Sequence, residues 1–572
     1  MVETTLIPVV IGVTGHRDLR EEDYGHLEKA INTILEEMIE RYPSTPLVLL
    51  TPLAEGADRL AAKAALKLGI HLIAPLPMPV EEYIKDFQTE GSVEDFENLL
   101  ARVEEYYVLP AHDTGDNHED LDRVESYTRT GAYIVNHSQI LIALWDGVEN
   151  GLLGGTAHTV RCKLEGLSEK YRHFHGFLDC VDQGPVYHII TPRISNPRTD
   201  ENPFSLKKHF PRVWENDKQA SEYYHQLLTR IDTYNKELLI HIPLLAPKVT
   251  NSMNQVIPDE KAKKLPSHLL AIREQYAAAD VLAQVFQKKR IRTMKNLFII
   301  GILSLFFFEL YAHVFPHTPW VLLFYPAVIG VAFVQFRKAQ RGQYQNKHLE
   351  YRALAEGLRV QLFWEMIGLD DLVADHYLHR QQSEMGWIRY ALRTLSIRRG
   401  LLGKPNKTAG GEIDKYRLVL DYWLQDQTSY YNSTYQKNEN SENNQNQYSK
   451  RIFIGGLIFA CLWVVINGIF PNTRVLEMAH TPALMIIVLS AAAAAALEGY
   501  SEKMALPEQV KQYYRMSLLF NECKNKYRLL LEQGDFDNAR NLVHELGTEA
   551  LRESGDWLMM HRERPMKVPI SA

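Results

Sequence analysis

The sequence predicts a doubly wound parallel α/β sheet of Rossmann-like type, followed by an all-helical membrane region. In the first 195 residues, short apolar runs rich in β-branched residues alternate with helical patterns, the order of a parallel sheet covered by helices on both faces. Beyond residue 296, the chain contains four apolar runs of 16 to 19 residues with almost no charge. Runs of this length are typical of membrane-spanning helices.

Five strands are predicted before residue 195, and each ends at a turn. They are residues 8–13, 47–51, 70–75, 139–144 and 186–191. The helices predicted between them are residues 24–41, 56–68, 121–135 and 155–165. In a sheet of this kind, ligands bind beyond the carboxyl ends of the strands. The turns that follow the strands are therefore the predicted binding site.

Three glycine-bearing turns fall at predicted strand ends. Glycine lets backbone N–H groups approach a phosphate, and the helix that follows points its positive end at it. One such turn alone is more typical of a tight strand-to-helix connection, but three in one sheet indicate a site for a phosphate-bearing small molecule. The predicted ligand-binding residues are Thr14, Gly15, His16 and Arg17 in the first turn, Glu55, Gly56, Ala57, Asp58 and Arg59 in the second, and Trp145, Asp146, Gly154, Gly155 and Thr156 in the third.

Several of these side chains have two interpretations. Arg17 and Arg59 are either surface charges or phosphate clamps, and the sequence does not favour one of the two. Asp58 either accepts a ribose hydroxyl or is an ordinary first-turn acid favoured by the helix dipole. His16 and His158 are expected to be polar loop residues, because no third ligand stands at a suitable spacing. We therefore expect no metal ion, no cofactor and no catalytic residue.

Charge and cysteine content exclude other classes. A net charge of −7 gives no general attraction for nucleic acid. The four cysteines have neither a metal-ligand spacing nor a disulfide pattern, which indicates a reducing compartment. The N-terminus has no basic region before its first strand, so it is not a signal peptide and the first domain is expected in the cytoplasm.

The four apolar runs form two predicted membrane hairpins. They are residues 297–315, 320–336, 452–470 and 482–497. At 1.5 Å per residue such runs span about 24–28 Å, enough for a lightly tilted helix. The alternative is a buried helical hairpin in a large soluble core, and the length and lack of charge favour the membrane. Glu309 in the first run is either a snorkelling residue or a pore or coupling residue.

Basic residues flank the hairpins, whereas the two connectors hold only Arg474. Positive-inside logic then places both hairpin tips outside, and the N-terminal domain and C-terminus in the cytoplasm. The predicted location is the inner membrane, with several passes. The predicted segments are 1–195 as the nucleotide-binding domain, 196–265 as a linker with a helix, and 266–410 and 411–572 as two helical units with one hairpin each. Residues 436–449 are too polar for a core and form either a solvated helix or a flexible stalk.

The three turns together resemble the SLOG superfamily, the Rossmann-like group that includes DprA-type DNA-processing proteins and LOG phosphoribohydrolases. The resemblance covers about residues 1–195 and rests on GVTGHR at 12–17, LAEGADR at 53–59, LWDG at 144–147 and GGT at 154–156. LOG enzymes carry a Gly-Gly-x-Gly-Thr-x-x-Glu signature, and its acid falls here on Thr159. A threonine cannot serve as a base or stabilise an oxocarbenium ion. The resemblance with this departure favours ligand sensing over hydrolysis.

Two further stretches, residues 351–361 and 550–565, look like the SLATT group, two-membrane-helix modules associated with SLOG sensors in bacterial conflict systems. This resemblance implies an antiphage effector that permeabilises the membrane, as in abortive infection. It also implies a nucleotide-type second messenger, derived from NAD or ADP-ribose, as the ligand. Membrane lipids and further copies of the chain are the other expected partners, and no nucleic acid is expected.

Two other functions remain open at this stage. A membrane-tethered LOG-like nucleotide N-glycosidase requires a carboxylate near the third turn, and Glu55 and Glu149 are the candidates. A ligand-gated ion channel or transporter requires polar groups in the membrane runs, which hold few beyond Glu309 and Asn467.

Overall fold

The computed structural model describes residues 5–110, 119–149, 151–171, 183–199, 201–369, 371–377, 382–395, 397, 409–470 and 473–565. The chain forms two compact units. The sheet unit contains Met1–Met253, Asp259–Ala278 and Gly357–Ala409, and the helical unit contains Asn254–Pro258, Ala279–Glu356 and Gly410–Ala572.

A seven-stranded sheet in the order β4-β3-β2-β1-β5-β6-β7 is the centre of the first unit. Its strands are β1 Val9–Gly15, β2 Leu47–Leu50, β3 His71–Leu76, β4 Glu105–Val108, β5 Ile140–Trp145, β6 Val186–Ile190 and β7 Leu206–His209. All neighbouring strands are parallel except β6 and β7. The strand order reverses between β1 and β5, which makes this pair the switch point of the sheet. The predicted doubly wound parallel fold is confirmed.

Helices cover both faces of this sheet. The first six are α1 Tyr24–Arg41, α2 Ala57–Lys67, α3 Val80–Tyr83, α4 Glu90–Leu100, α5 Glu119–His137 and α6 Thr156–Glu165. Successive residues of β1 point to opposite faces of the sheet. A Cβ on Gly12 would meet Ile134 of α5, whereas a Cβ on Gly15 would meet Ala57 of α2, so α5 and α2 cover opposite faces. Strands buried on both faces explain the near-continuous apolar runs of β1, β2 and β5.

Two strands escaped the sequence analysis for different reasons. β4 (EYYV) lies between helices in a stretch with no clear apolar alternation. β7 (LKKH) is exposed or half-buried, and it pairs only with β6 at the edge of the sheet. Lysines are typical of edge strands because they discourage pairing with other chains. β7 lies in the segment predicted as a linker.

The following helix, α7 Asp217–Val256, contains Pro243 and Pro247 in its interior. The segment 196–265, for which the sequence predicts a linker with a helix, is thus mostly helical, and the helix continues past both prolines. Each proline removes one backbone donor. Ile242 and Val249 nevertheless remain buried on one face of the continuing helix, and this packing outweighs the lost hydrogen bonds.

Segments far beyond residue 195 complete the sheet unit. These segments include α8 Asp259–Ala262, α13 Val373–His376 and α14 Gln382–Leu395. The buried Asn235 of α7 accepts a hydrogen bond from Ile7 N and donates one to Ile7 O. On the other side, Tyr133 donates to the carbonyl of Ile397, and Gln139 donates to Thr394. The compact unit therefore extends past the segment 1–195.

The helical unit contains the apolar runs. Its helices are α9 Ser267–Glu309, α10 Pro319–Leu322, α11 Phe324–Arg341, α12 Tyr344–Met366, α15 Ala409–Val419, α16 Gln425–Ile469, α17 Arg474–Lys503, α18 Leu506–Gln533 and α19 Phe536–Arg562. Of these, α9, α12 and α15 have residues in both units. Four helices have 18-residue windows of mean hydropathy 1.8 to 2.4, of which at most 17% is buried. Such long, apolar and exposed helices indicate a membrane protein and disfavour a buried soluble hairpin. Residues 436–449 are helical within α16.

Glu309 ends α9, and a π-helical turn, Leu310–Val314, follows it. The Glu309 carboxylate lies 3.3 Å from His313 Nε2, one turn along the helix. Glu309 thus lies near the end of the first apolar run, with His313 as a neighbour one turn further along.

Small residues let the helices of the second hairpin approach closely. A Cβ built on Gly456 of α16 would lie 2.1 Å from Ser490 Oγ of α17. About two turns from Gly456 along α16 and one turn from Ser490 along α17, Ser449 donates a hydrogen bond to the carbonyl of Ala494 at 3.1 Å. Small residues at such crossings allow the backbone contact that replaces the hydrophobic effect between helices in lipid.

This contact predicts that Gly456→Leu destabilises the second hairpin while Gly455→Leu does not. Gly456 faces Ser490, whereas nothing lies within 4 Å of a Cβ on Gly455. Overpacking of a tight contact costs about 1–3 kcal/mol. Thermal unfolding of the full chain in detergent measures the difference, and equal midpoints for the two variants would contradict the packing described here.

Candidate ligand-binding cleft at the sheet switch point

A cleft of about 300 Å³ opens beyond the carboxyl ends of β1 and β5. Open α/β sheets bind their ligands at this position, and the volume matches the small end of ligand pockets. It is lined by Val13, Thr14, Gly15, His16, Arg17, Asp18, Pro52, Ala54, Asp58, Tyr127, Thr130, Gly131, Ile134, Trp145, Gly154, Gly155, Thr156, Ala157, Thr159 and Arg193. All three predicted turns contribute to this lining.

The first two turns are locked together through their backbones. A Cβ on Gly15 would lie 2.3 Å from the Cβ of Ala57, so only glycine allows α2 to pack this closely on β1. Ala57 N–H then donates to the carbonyl of His16 at 3.1 Å. Gly56 has a φ of +79°, and a Cβ there would lie 2.5 Å from the same carbonyl oxygen. The sequence assigns these glycines to phosphate approach, and the structure shows that close packing of backbone and helix also requires glycine at both positions.

His16, Asp146 and Arg193 form a charged cluster along one wall. Asp146 lies 3.1 Å from His16 Nε2 and 3.1 Å from Arg193 Nε, through different oxygens. Asn196 donates a third contact to Asp146 at 3.1 Å. Burial lowers the pKa of His16 and Arg193 acts in the same direction, although Asp146 opposes them. The imidazole is therefore neutral near pH 7, and Arg193 supplies the positive charge.

Arg17 and Tyr127 form the opposite wall. The guanidinium of Arg17 lies over the ring of Tyr127, 4.9 Å from its centroid. Tyr127 in turn donates a short hydrogen bond to Asp86, which also accepts one from Arg123 at 2.8 Å. A stacked guanidinium keeps its N–H groups in its own plane for a ligand. Of the two interpretations of Arg17, this geometry favours the phosphate clamp.

Asp58 lies at the base of the cleft and is 5% exposed. Burial raises its pKa to about 7, although Ala54 N–H, Arg17 and the Thr51 hydroxyl favour the ionised form. Its carboxyl group therefore exists in both protonation states at neutral pH. It is able to accept a hydrogen bond from a ligand hydroxyl or to donate one to a ligand oxygen.

The third turn opens α6 toward the cleft. Gly154 has a φ of +74°, and a Cβ there would lie 3.0 Å from Thr128 Oγ1, so this position requires glycine. Gly155 is the N-cap of α6 and provides no side-chain cap. The free N–H groups of the first turn of α6 therefore face the cleft beside Thr156. Thr159 also lines the cleft, where its hydroxyl donates to the carbonyl of Gly155 at 3.2 Å.

Other predicted site residues lie outside the lining. Arg59 is buried among protein partners, because it donates to the carbonyls of Leu53 and Ser92 and stacks on Phe87 at 4.4 Å. These contacts hold Arg59 within the second turn, outside the lining of the cleft. Glu55 accepts hydrogen bonds from Gln88 N–H and the Ser92 hydroxyl. The remaining predicted residues outside the lining are Gly56, Ala57 and Asp146, which contact the residues that line the cleft.

The sequence analysis missed several cleft residues, and Tyr127 and Arg193 are two of them that form its walls. Tyr127 lies in the middle of α5, and Arg193 follows β6 on a loop that carries no glycine motif. Arg193 forms an isolated bridge with Leu19, and Ile194 N–H donates to the carbonyl of Asp18 at 2.9 Å. These bonds fasten the loop after β6 to the first turn. The clue available in the sequence was positional, because β6 also ends at the carboxyl edge of the sheet, where the cleft opens.

Comparison with known proteins gives no assignment, because no protein-family model matches the chain and no curated protein is significantly similar to it. The fold and the cleft define the class directly. The chain combines a Rossmann-like parallel sheet, which has a polar cleft at its switch point, with four helices long and apolar enough to cross a membrane.

The raised pKa of Asp58 predicts a specific pH dependence of stability. Its pKa moves from the usual 3.8 to about 7 on folding, and each unit corresponds to about 1.4 kcal/mol. The folded state therefore holds an extra proton between about pH 4 and pH 7, so stability decreases as the pH rises through that window and is level above it. Asp58→Asn removes this loss, which is on the order of 4 kcal/mol.

Thermal unfolding midpoints of the full chain in detergent at pH 4.5, 6 and 8 measure this effect. The midpoint of Asp58→Asn relative to the original chain should rise with pH. Glu21→Gln, at an exposed position, is the control and should leave the profile unchanged. Parallel pH profiles for Asp58→Asn and the original chain would show that Asp58 does not take up the proton.

Proposed function

We propose that this protein is a membrane-anchored sensor whose cleft binds a nucleotide-type ligand and whose membrane helices respond to it. One observation carries the proposal. A cleft at the switch point of a parallel sheet, lined by two arginines and a helix N-terminus, belongs to a chain with four membrane-length helices. The presence of such a cleft and of membrane helices in one chain is explained if ligand binding changes the membrane helices, or if the ligand acts at the membrane.

The lining of the cleft supports a ligand that carries phosphate and hydroxyl groups. Arg17 and Arg193 provide positive charge from two sides, and the N-terminus of α6 adds uncapped N–H groups. Asp58 is suited to a sugar hydroxyl at the base. A sugar phosphate with a base combines these features, and we propose a nucleotide of the NAD- or ADP-ribose-derived kind as the second messenger.

The same lining supports sensing over cleavage. Thr159 occupies the position of the acid in the LOG signature, and its hydroxyl is bonded to Gly155 O. Of the two acids considered for an N-glycosidase, Glu55 is bonded to Gln88 and Ser92, and Glu149 is exposed outside the lining. The carboxyl groups in the cleft wall are those of Asp18 and Asp58 among the described residues.

The proposed output is permeabilisation of the inner membrane in antiphage defence by a SLOG-type sensor joined to SLATT-type hairpins. A ligand shifts a two-state equilibrium only by its differential affinity for the two states, and a shift from 1:99 to 99:1 takes about 5.5 kcal/mol. Self-association belongs to this proposal, because four helices with few polar groups make a poor conduit alone. Both hairpin tips are proposed to lie outside, with the sheet unit and the C-terminus in the cytoplasm.

The binding proposal predicts that Arg17→Gln weakens ligand binding and that Arg41→Gln does not. Arg17 lines the cleft, whereas Arg41 ends α1 and pairs with Glu37 on the surface. Loss of a hydrogen bond to a charged group costs about 1.5–3 kcal/mol, or roughly 10–150-fold in affinity. Mass spectrometry of nucleotides that co-purify with the full chain identifies the ligand, and calorimetry then compares the variants. Equal affinities for the two variants would remove Arg17 from the site.

The output proposal predicts that the recovered nucleotide makes vesicles containing the full chain leak a trapped dye. The Arg17→Gln variant serves as the control, because it keeps all four membrane helices and loses only a contact in the cleft. It should require a correspondingly higher nucleotide concentration for the same leakage. Vesicles that stay sealed with saturating nucleotide would refute the membrane-effector function while leaving ligand binding intact.

A further inference from the structure

Arg290 of α9 is a fully buried arginine with unsatisfied donors. Its exposed fraction is 2%, which places it among the largest fully buried side chains of the described residues. Its Nε and Nη2 atoms are buried and meet no hydrogen-bond acceptor in the described part of the chain. Buried charges are normally paired, because an unpaired one loses its hydration without compensation. Among the described residues, no acidic group pairs with this buried guanidinium.

The surroundings of Arg290 add positive charge. Arg290, Arg352 and Arg564 all act on the ring of His561, whose pKa is lowered to about 3 chiefly by burial, with the three arginines acting in the same direction. This histidine is neutral and fully bonded, since its Nδ1 donates to Trp557 O and its Nε2 accepts from Gln509. It offers Arg290 no negative charge.

The other two arginines of this cluster have partners. Arg352 donates to the hydroxyl of Tyr513 at 3.2 Å and lies over the ring of Trp557 at 3.8 Å. Arg564 pairs with Glu508 at 2.7 Å. Arg352 also lies within electrostatic range of the acids Glu356 and Glu553, so acids lie near both of these arginines. The one cation in this cluster without a partner among the described residues is Arg290, and it carries the uncompensated positive charge. A site with these properties selects an anion.

The position of Arg290 along α9 indicates which anion. It precedes the first apolar run, which begins at Leu297, by seven residues, or about 10 Å along a helix. Polar layers of about 5–8 Å flank the hydrocarbon core, so the backbone of Arg290 lies just outside the headgroup layer, and headgroups are the anions that reach it from the membrane side. Tyr500 of α17 lies within electrostatic range of Arg290, and it packs on Phe298 at the start of the first apolar run, with ring centroids 5.9 Å apart.

We propose that Arg290 anchors a binding site for a phosphate group in the helical unit, which the phosphate enters from the headgroup layer beside α9 and α17 when the helices packed on the buried guanidinium move apart. The group is the phosphate of an anionic lipid, and free inorganic phosphate has the same chemistry. A guanidinium fits a phosphate through two parallel hydrogen bonds, and Nε with Nη2 is a suitable pair of donors. Basic pockets between membrane helices are known to hold anionic headgroups. This site is separate from the proposed nucleotide cleft and does not depend on it.

The test uses the full chain purified in detergent and washed free of lipid. Thermal unfolding midpoints are measured with added phosphatidylglycerol, with diacylglycerol, which has the same tails and no phosphate, and with inorganic phosphate against chloride at equal ionic strength. A ligand that binds only the folded state raises the midpoint. We expect phosphatidylglycerol to raise it over diacylglycerol, and native mass spectrometry to show retained lipid. A rise with inorganic phosphate alone would identify the free anion as sufficient.

Arg290→Gln should lose most of this rise. The matched control is Arg292→Gln, which removes the same charge from an exposed position on the same helix and should retain the rise. If Arg290→Gln does not fold, Arg290→Lys keeps the charge without the paired donors and should retain less lipid than the original chain. The proposal is overturned if neither phosphate source raises the midpoint of the original chain. It is equally overturned if the position 290 variants respond as Arg292→Gln does.

Discussion

The missing side chain of Gly15 is the constraint on which the cleft depends. Because no Cβ stands at the end of β1, α2 approaches until Ala57 N–H bonds the carbonyl of His16. This single backbone bond fixes the ends of two separate strand–helix connections relative to each other. Arg17 and Asp58 are then held on either side of it, one as a wall of the cleft and one at its base. A methyl group at position 15 would push these two groups apart.

Most acids near the cleft are paired with cleft residues or their neighbours, and this pairing determines the charge of the cleft surface. Asp146 is shared by His16, Arg193 and Asn196 and lies behind the wall. Asp86 is similarly shared by Tyr127 and Arg123. Each acid therefore positions a wall residue without adding negative charge to the cleft surface. Asp18 and Asp58 are the exceptions among the described residues, and the raised pKa of Asp58 reflects a carboxyl group that the local fold holds in a buried place.

Sequence reasoning succeeded where the physical cause is local. Five of the seven strands, the three turns and the four apolar helices follow from apolar periodicity and glycine positions, which neighbouring residues determine. It failed where a role depends on distant partners. Arg59 looked like Arg17, but Phe87 and Ser92, about 30 residues later, make it a structural residue. Arg290 looked like one more basic residue flanking a membrane run, and only the packing of the helices buries it.

The hydrogen bonds that close the sheet unit also impose an order on its synthesis. Tyr133 and Gln139 bond to Ile397 and Thr394, more than 250 residues further along the chain. The first membrane hairpin, 297–336, is translated between these partners. A growing chain therefore delivers that hairpin from the ribosome before the sheet has its last covering segment, whereas most domains are completed from the N-terminus onward. Insertion of the hairpin into the membrane and completion of the sheet unit are consequently linked in time. A delay in insertion prolongs the time during which the apolar surface of the unfinished sheet unit is exposed.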